Sequence, residues 1–312
     1  MNKPFISIII PTYNEEKNLP RLFASLARLD YPKNKREIII VDGYSTDRTV
    51  ALAQKFGAKV FFNPGRIRTT GCQIGIDKAR GEMIAFTDAD CVVPSHWLKG
   101  LLEPLKGKKI AAVGGPNITP KNDTPFAKAA GEVMWLLTRT GARYGFSGKK
   151  VVEIYHNPGC NVLYRKKAIQ AVGGFNPRLL TCEDEELDFR LGQKGYKLLF
   201  TPKVVVDHYR RPTYKKTFIQ AYRYAIGRAQ ATRLHPKMAR WFHFVPSILL
   251  LFFPSLFFVL PALLAASVFL RITKKTASFD VYFFLLTEWW LGYGIGFWRG
   301  LLFFNPQNRK KK

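Results

Sequence analysis

Asp88 and Asp90 stand two residues apart at the end of the apolar run IAFTDADC, Ile84–Cys91. Residues two apart in extended backbone project to one side, so both carboxylates can face a single hard cation, Mg2+ or Mn2+, with substrate phosphates and water completing its shell. The alternative is a solvated turn in which Asp90 caps the helix suggested by PSHWLKGLL. Asp42, directly after EIIIV, poses a similar choice between a turn residue and a carboxylate that accepts from a base N–H or a ribose hydroxyl. Asp47 reads as a first-turn helix acid.

A second acidic focus is the run Glu183, Asp184, Glu185 and Glu186. The positive end of a helix accounts for part of it, but such a run can also supply a general base whose pKa its neighbours raise. His208, at a strand end, is either a structural imidazole or a third metal ligand. Arg223 and Arg228 in QAYRYAIGRAQ, and Arg66 and Arg68 in NPGRIRTTG, suit either a diphosphate or a solvated, lipid-facing surface.

These groups need a frame. Phe5–Ile10, Glu37–Val41, KVFF and Met83–Phe86 are short apolar runs without polar alternation, and helical spacing recurs between them at Leu19, Leu22, Phe23, Leu26 and Leu29 and over Thr70–Ala79. The segment TDRTVALAQKFG reads as a helix capped at Thr46 and stopped at Gly57. That alternation predicts an α/β fold, a doubly wound and mostly parallel sheet covered on both faces, with ligands at the carboxyl ends of its strands. The rule selects PTYNEE, DGYSTD and TDAD, three polar clusters that converge on one crevice. Beyond Pro116, NPGCNVLYRKKAIQAVGGF reads as strand, helix and glycine turn, CEDEELDFRLGQKGY as a helix ending near Gly195, and KLLFTPKVVVDH as two strands. Acceptor choice is expected in Pro116–Asn161.

The chain has 312 residues, 47% hydrophobic, and a formal net charge of +27, which calls for an anionic partner. Cys72, Cys91, Cys160 and Cys182 form no C-x-x-C pair, which argues against a zinc module or a disulfide framework and for a reducing compartment. The apolar run before Pro11 is too short for a signal-peptide core. Two later apolar blocks, Phe242–Leu270 and Val281–Phe304, are each long enough to cross roughly 30 Å of hydrocarbon. Before them, Tyr214–Leu234 interleaves aromatic and basic residues as an interfacial helix does. The expected organisation is a catalytic domain over residues 1–212, in halves 1–115 and 116–212, then a basic interface helix over 213–240 and membrane-associated helices with a basic tail over 241–312. Two spans would put the domain and the RKKK tail on the cytoplasmic side of the plasma membrane. Pro246, Pro254, Pro261, Glu288 and Arg299 also allow re-entrant or interfacial helices.

In order along the chain, SIIIPTYNEEKNL, EIIIVDGYSTDRT, IAFTDADC, VGGF, EDEELDFRL and QAYRY together resemble glycosyltransferase family 2, inverting enzymes of the GT-A fold. The resemblance covers Phe5–Arg233, and the membrane-associated, non-processive enzymes of succinoglycan biosynthesis are the nearest in pattern. It implies that Pro11, Thr12, Tyr13 and Glu15 line a nucleotide site, that Asp42 meets the base, typically uracil, and that Asp88 lies near ribose and metal while Asp90 binds the metal. It implies Asp184 as the catalytic base, and it matches Gln220, Arg223 and Tyr224 to the Q-x-x-R-W element, with Tyr in place of Trp. That Tyr, and the absence of spans before the catalytic part, stand against a processive polysaccharide synthase. Gln73 stands where many relatives have Asn.

The expected function is therefore transfer of one sugar from a nucleotide-diphosphate sugar, typically a UDP-sugar, to a lipid-linked or glycan acceptor. Mn2+ or Mg2+ would be held by Asp90, Asp88 and His208, Arg66 and Arg68 would join the nucleotide site, and the diphosphate or acceptor would be held by Gln220, Arg223, Tyr224, Arg228 and Glu183. Membrane lipids are expected partners and nucleic acid is not. The rival is a basic, membrane-attached binding protein for anionic lipid or nucleic acid, which has no use for the acids. A nucleotidyltransferase leaves Asp184 and Gln220 without a task.

Overall fold

A computed structural model describes residues 3–137, 150–251 and 256–304. Pro254, the RKKK tail and residues 138–149 of the expected acceptor segment lie outside the described residues. The strands are Ile6–Thr12 (β1), Arg36–Asp42 (β2), Lys59–Phe62 (β3), Met83–Phe86 (β4), Cys91–Val92 (β5), Ile110–Gly114 (β6), Asn117–Ile118 (β7), Val152–Ile154 (β8), Val162–Arg165 (β9), Lys197–Phe200 (β10) and Val206–His208 (β11). The α-helices are Leu19–Ala27 (α1), Thr49–Lys55 (α2), Arg68–Lys78 (α3), Trp97–Leu102 (α4), Pro125–Leu137 (α5), Lys166–Ala171 (α6), Glu183–Gln193 (α7), Tyr214–Leu234 (α8), Trp241–Leu249 (α9), Leu256–Lys274 (α10) and Phe279–Leu302 (α11).

The chain divides into two units. The first comprises Met1–Ile118, Arg139–Pro177 and Glu183–His208, and the second Thr119–Thr138, Arg178–Cys182 and Tyr209–Lys312.

In the first unit an eight-stranded sheet runs β3-β2-β1-β4-β9-β6-β10-β8. Strands β3, β2, β1 and β4 pair in parallel, so Phe62, Asp42, Thr12 and Phe86 end at one edge, the expected ligand edge. Strand β9 runs antiparallel between β4 and β6. The sheet is buried on both faces, which is why its strands lack polar alternation. Ile8 and Ile10 of β1 join the core under α1 and α4, with Leu22 and Trp97, whereas Ile9 joins the opposite core under α3 and α7, with Ile76 and Leu187. A second, three-stranded sheet, β5-β11-β7, is formed by pairings between distant segments, and in it His208 stands opposite Cys91.

One helix start differs from expectation. Helix α2 begins at Thr49, and Asp47 rather than Thr46 serves its amino end, its Oδ1 accepting from the Thr49 amide at 3.0 Å. The Thr46 amide donates instead to Asn14 Oδ1 at 2.8 Å, because that loop is tied to its neighbour.

In the second unit α8 lies along α11. A Cβ at Gly296 would stand 2.2 Å from the Tyr222 carbonyl oxygen and one at Gly300 2.6 Å from that of Ile226, so the two backbones meet where only glycine fits. The polar groups of α11 are met from α8: Thr217 Oγ1 donates to Glu288 Oε2 at 3.0 Å, and Arg299 Nη1 to Tyr222 Oη at 2.8 Å. Of the two apolar blocks expected to be long enough to cross a membrane, the second forms α11, which carries Asp280, Glu288 and Arg299. The first divides into α9 and α10. Phe257–Lys274 in α10, with mean hydropathy 1.7 and 17% of its length buried, is the one helix among the described residues long and apolar enough to cross.

Candidate active site

The loops after β1 and β2 form one cross-linked edge. Asn14 N donates to Ser45 Oγ at 2.8 Å, Glu15 N to Thr49 Oγ1 at 2.7 Å and Glu16 N to Asp47 Oδ2 at 3.1 Å. Asn14 and Tyr44, at φ of 54° and 64°, hold left-handed backbone that side-chain-bearing residues rarely adopt, a strain concentrated beside this edge. Asp42 is fully buried, and it accepts from Thr12 Oγ1 at 3.0 Å, Ser45 N at 2.7 Å and Ser45 Oγ at 2.6 Å. The carboxylate expected to meet a base also ties the loop after β2 to the end of β1. Pro11, next to last in β1, is half-buried, Glu15 accepts from Asn18 Nδ2 at 2.7 Å, and Tyr13 is exposed. Tyr44 and Phe62 present exposed rings 5.3 Å apart, and Arg66 lies over the Tyr44 ring. Arg66 and Arg68, paired in the sequence reading, therefore part company.

Arg68 turns inward from the first turn of α3. Its Nη2 lies 3.0 Å from Asp88 Oδ1, its Nη1 2.5 Å from Glu183 Oε1, and its Nη2 also donates to the Gly159 carbonyl at 3.0 Å. Glycine at 159 is what permits this approach: a Cβ there would stand 3.0 Å from Asp184 Oδ2 and 3.1 Å from the guanidinium. Burial pushes the Glu183 carboxyl above its ordinary range, against the pull of Arg68.

Asp88, Asp90 and His208 offer ligand atoms that all lie within 4.8 Å of one another. Asp90 is 6% exposed, and its Oδ1 faces His208 Nε2 at 3.2 Å. The set comes from the loop after β4 and from β11, so the sheet pairing, not the chain, brings the histidine to the acids. Two carboxylates and one imidazole fit a hard divalent cation.

Asp184, in the first turn of α7, accepts from the Gly159 amide through Oδ2 at 3.0 Å and from the Glu185 amide through Oδ1 at 2.9 Å. His156, which no sequence motif singles out, lies between two acids, its Nε2 3.8 Å from Asp184 Oδ2 and its Nδ1 2.9 Å from Asp188 Oδ2. Asp188 is buried, and accepts also from Tyr164 Oη at 2.7 Å and Asn157 N at 2.8 Å. Burial raises its pKa, and those hydrogen bonds oppose the rise. A lone histidine in EIYHNPG carries no local signal, and only the fold brings it to α7. Gln73 accepts from the Phe175 amide at 2.8 Å, tying α3 to the VGGF turn.

Gln220, Arg223, Tyr224 and Arg228 all lie on α8 of the second unit. Gln220 is half-buried. Arg228 is 4% exposed and donates to Tyr224 Oη at 3.3 Å, whereas Arg223 is exposed. Arg223 and Arg299 line a cavity of about 320 Å³ whose other walls include Ile226, Phe303 and Phe304.

Residues 7–173 match the family described as Glycosyl transferase family 2. The chain is 28% identical to the dolichyl N-acetyl-alpha-D-glucosaminyl phosphate 3-beta-D-2,3-diacetamido-2,3-dideoxy-beta-D-glucuronosyltransferase of Methanococcus voltae, over 73% of this chain and 74% of that protein. It is also 28% identical to the succinoglycan biosynthesis protein ExoA of Rhizobium meliloti, over 74% of this chain and 71% of that one. Among solved structures, the mannosyltransferase PcManGT of Pyrobaculum calidifontis, in complex with GDP-Man and Mn2+, matches at TM-score 0.62 and 18% identity, covering 94% of this chain and 87% of that one, a likeness of fold.

Proposed function

The chain belongs to glycosyl transferase family 2, and we propose that it moves one sugar, with inversion, from a nucleotide-diphosphate sugar to a lipid-linked acceptor hydroxyl at a membrane. The observation that carries this reading is the convergence of Asp88, Asp90 and His208, with Arg68, Glu183 and Asp184 linked to them, at the carboxyl edge of the parallel strands.

Asp184 takes the acceptor hydroxyl proton as that oxygen attacks the anomeric carbon from the face opposite the leaving group, so a single displacement inverts the configuration. The Gly159 and Glu185 amides hold the carboxylate in place for that transfer. Asp88, Asp90 and His208 would hold the divalent cation, Mn2+ or Mg2+, which would supply positive charge to compensate a departing diphosphate. Arg68 exchanges its contact with Asp88 for the incoming phosphates. The exposed rings of Tyr13, Tyr44 and Phe62 stack the base, and Asp42 acts by shaping the loop beneath them. Among nucleotides a UDP-sugar is the donor on this reading; the fold-likeness to a GDP-Man enzyme makes the guanine nucleotide the comparison to run beside it.

On the acceptor side, the cavity between Arg223 and Arg299 joins two cations to apolar walls, the chemistry of a lipid-borne phosphate. The phosphate-linked acceptor in the name of the M. voltae relative supports the same class. Residues 1–212 act as the catalytic part and residues 213–240 as the basic helix beside the lipid. Residues 241–312 are the membrane-associated part, with Phe257–Lys274 crossing or entering the bilayer and the catalytic part on the cytoplasmic side of the plasma membrane.

Thermal unfolding of the full-length protein with a panel of UDP- and GDP-sugars, with and without Mn2+, tests this directly. A cognate donor at about 100 times its Kd adds about 2.7 kcal/mol, only with Mn2+ present, and Asp90→Ala abolishes the gain. Equal stabilisation of Asp90→Ala and wild type overturns the reading.

A further inference from the structure

His208 faces two donor sets. Its Nε2 lies 3.2 Å from Asp90 Oδ1, on the side of the carboxylates, and its Nδ1 lies 3.8 Å from Cys160 Sγ, on the side of the thiols. Cys91 is the cross-strand partner of His208 in the β5–β11 pair, and register partners in an antiparallel pair project to the same face. Cys91 Sγ, Cys160 Sγ and a His208 ring nitrogen all lie within 4.8 Å of one another, and both cysteines are buried and free of disulfides. For tetrahedral ligation with metal–sulfur bonds of about 2.3 Å and metal–nitrogen bonds of about 2.1 Å, sulfur and nitrogen stand about 3.6 Å apart. The observed 3.8 Å needs almost no movement.

We infer that Cys91, Cys160 and His208 form a second metal site, for a borderline or soft divalent cation of the Zn2+ class, that competes with the hard cation for His208. Thiolate and imidazole donors select such ions, whereas carboxylates select Mg2+ and Mn2+. The competition follows from the imidazole itself. A neutral ring has one lone-pair nitrogen and one N–H. With Nε2 bound to a cation on Asp90, the proton sits on Nδ1 and points at Cys160. With Nδ1 bound to a cation on the thiols, the proton sits on Nε2 and donates to Asp90, the carboxylate–histidine–metal relay that metal-ligating histidines recurrently make. Binding at the thiols releases the thiol protons to solvent and leaves a fourth position open.

Spacing carries no signal for this site, because the cysteines stand 69 positions apart and strand pairing alone supplies the histidine. The thiol site stands by itself; the competition rests on the donor-metal reading above, and the two fail separately.

Titration of the full-length protein with Co2+ alone reads the site, since thiolate ligation gives an intense near-ultraviolet charge-transfer band that carboxylates do not. One equivalent should develop the band in wild type and in Cys72→Ser/Cys182→Ser, and none in Cys91→Ser/Cys160→Ser. X-ray absorption at the zinc edge of Zn2+-loaded wild type needs no variant, and should find two sulfur scatterers at about 2.3 Å. A first shell of nitrogen and oxygen only, or a band that persists in Cys91→Ser/Cys160→Ser, overturns the thiol site. Electron paramagnetic resonance of free Mn2+ should show about tenfold weaker Mn2+ binding once one Zn2+ is loaded. Undiminished Mn2+ affinity with the sulfur shell present overturns the competition alone, and no Mn2+ binding in either state removes the hard site instead.

Discussion

Arg68 and Glu183, 115 residues apart in the chain, are joined at 2.5 Å, and the same guanidinium rests on Asp88 at 3.0 Å. One cation thus holds the loop after β4 to the start of α7, and with them the acids on either side. Removing one partner of a fully buried pair costs about 3–5 kcal/mol; with Arg68 28% exposed, Arg68→Gln is expected to cost about 2 kcal/mol. Urea unfolding at unchanged m-value checks this, and Arg68→Lys should recover part of the loss. A variant as stable as wild type would show that the acids need no such clamp.

Asp184→Asn removes the proton acceptor and keeps the shape of the carboxyl. Turnover is expected to fall about 10²–10⁴-fold while donor affinity holds. Steady-state rates beside donor binding by calorimetry separate the two, and an equal loss in both would assign Asp184 to donor binding. His156→Gln, which removes the group between Asp184 and Asp188, should reduce kcat more than KM. A fall in stability with kcat unchanged would make His156 structural only.

Several features were legible from residue order, for a physical reason. Strands buried on both faces read as unbroken apolar runs, so β2 and β4 stand where EIIIV and MIAF predict them, and the basic helix runs over Tyr214–Leu234 as its spacing implies. Pairings between distant segments left no such trace. Nothing local announces that β9 enters antiparallel between β4 and β6, that His208 meets Asp90, or that Gly159 lies against Asp184. The apolar, glycine-spaced Gly292–Gly300 stretch reads equally well as a membrane span, and its partner emerges only from α8. Asp42 shows the same limit: its position at a strand end was evident, but its complete burial depends on Thr12 and Ser45.

Glu37 makes stability depend on pH at the opposite end of the sheet. Burial alone would raise its carboxyl, but hydrogen bonds from Lys59, Ser7 and Arg80 override it and hold the pKa at about 2. Unfolded, the group titrates at about 4.3. A folded pKa below the unfolded one stabilises fully above the unfolded value, and that stability is lost as pH falls from about 4.3 through 2, amounting to roughly 3 kcal/mol. Glu37→Gln should be less stable at pH 7 by a comparable amount and have a flatter acid limb. Melting curves between pH 7 and pH 2 test it, and parallel curves for both proteins would count against the ion cluster.

Two glycines within helices should answer the same substitution with opposite signs. Gly192 in α7 is exposed, and a Cβ there meets nothing within 4 Å, so Gly192→Ala gains helix propensity and should stabilise by about 0.5–1 kcal/mol. At Gly296 in α11 the added methyl would stand 2.2 Å from the Tyr222 carbonyl oxygen, an obstacle of backbone rather than of a movable side chain. Gly296→Ala must push α8 and α11 apart, which costs about 1–3 kcal/mol or more and outweighs the same propensity gain. Separation of the helices would also lengthen the Arg299–Tyr222 hydrogen bond, now 2.8 Å. Thermal unfolding of the two variants side by side decides it. If both are stabilised, the seam is loose and α11 is held by its apolar surroundings; if only Gly296→Ala is destabilised, close backbone contact with α8 is what positions it.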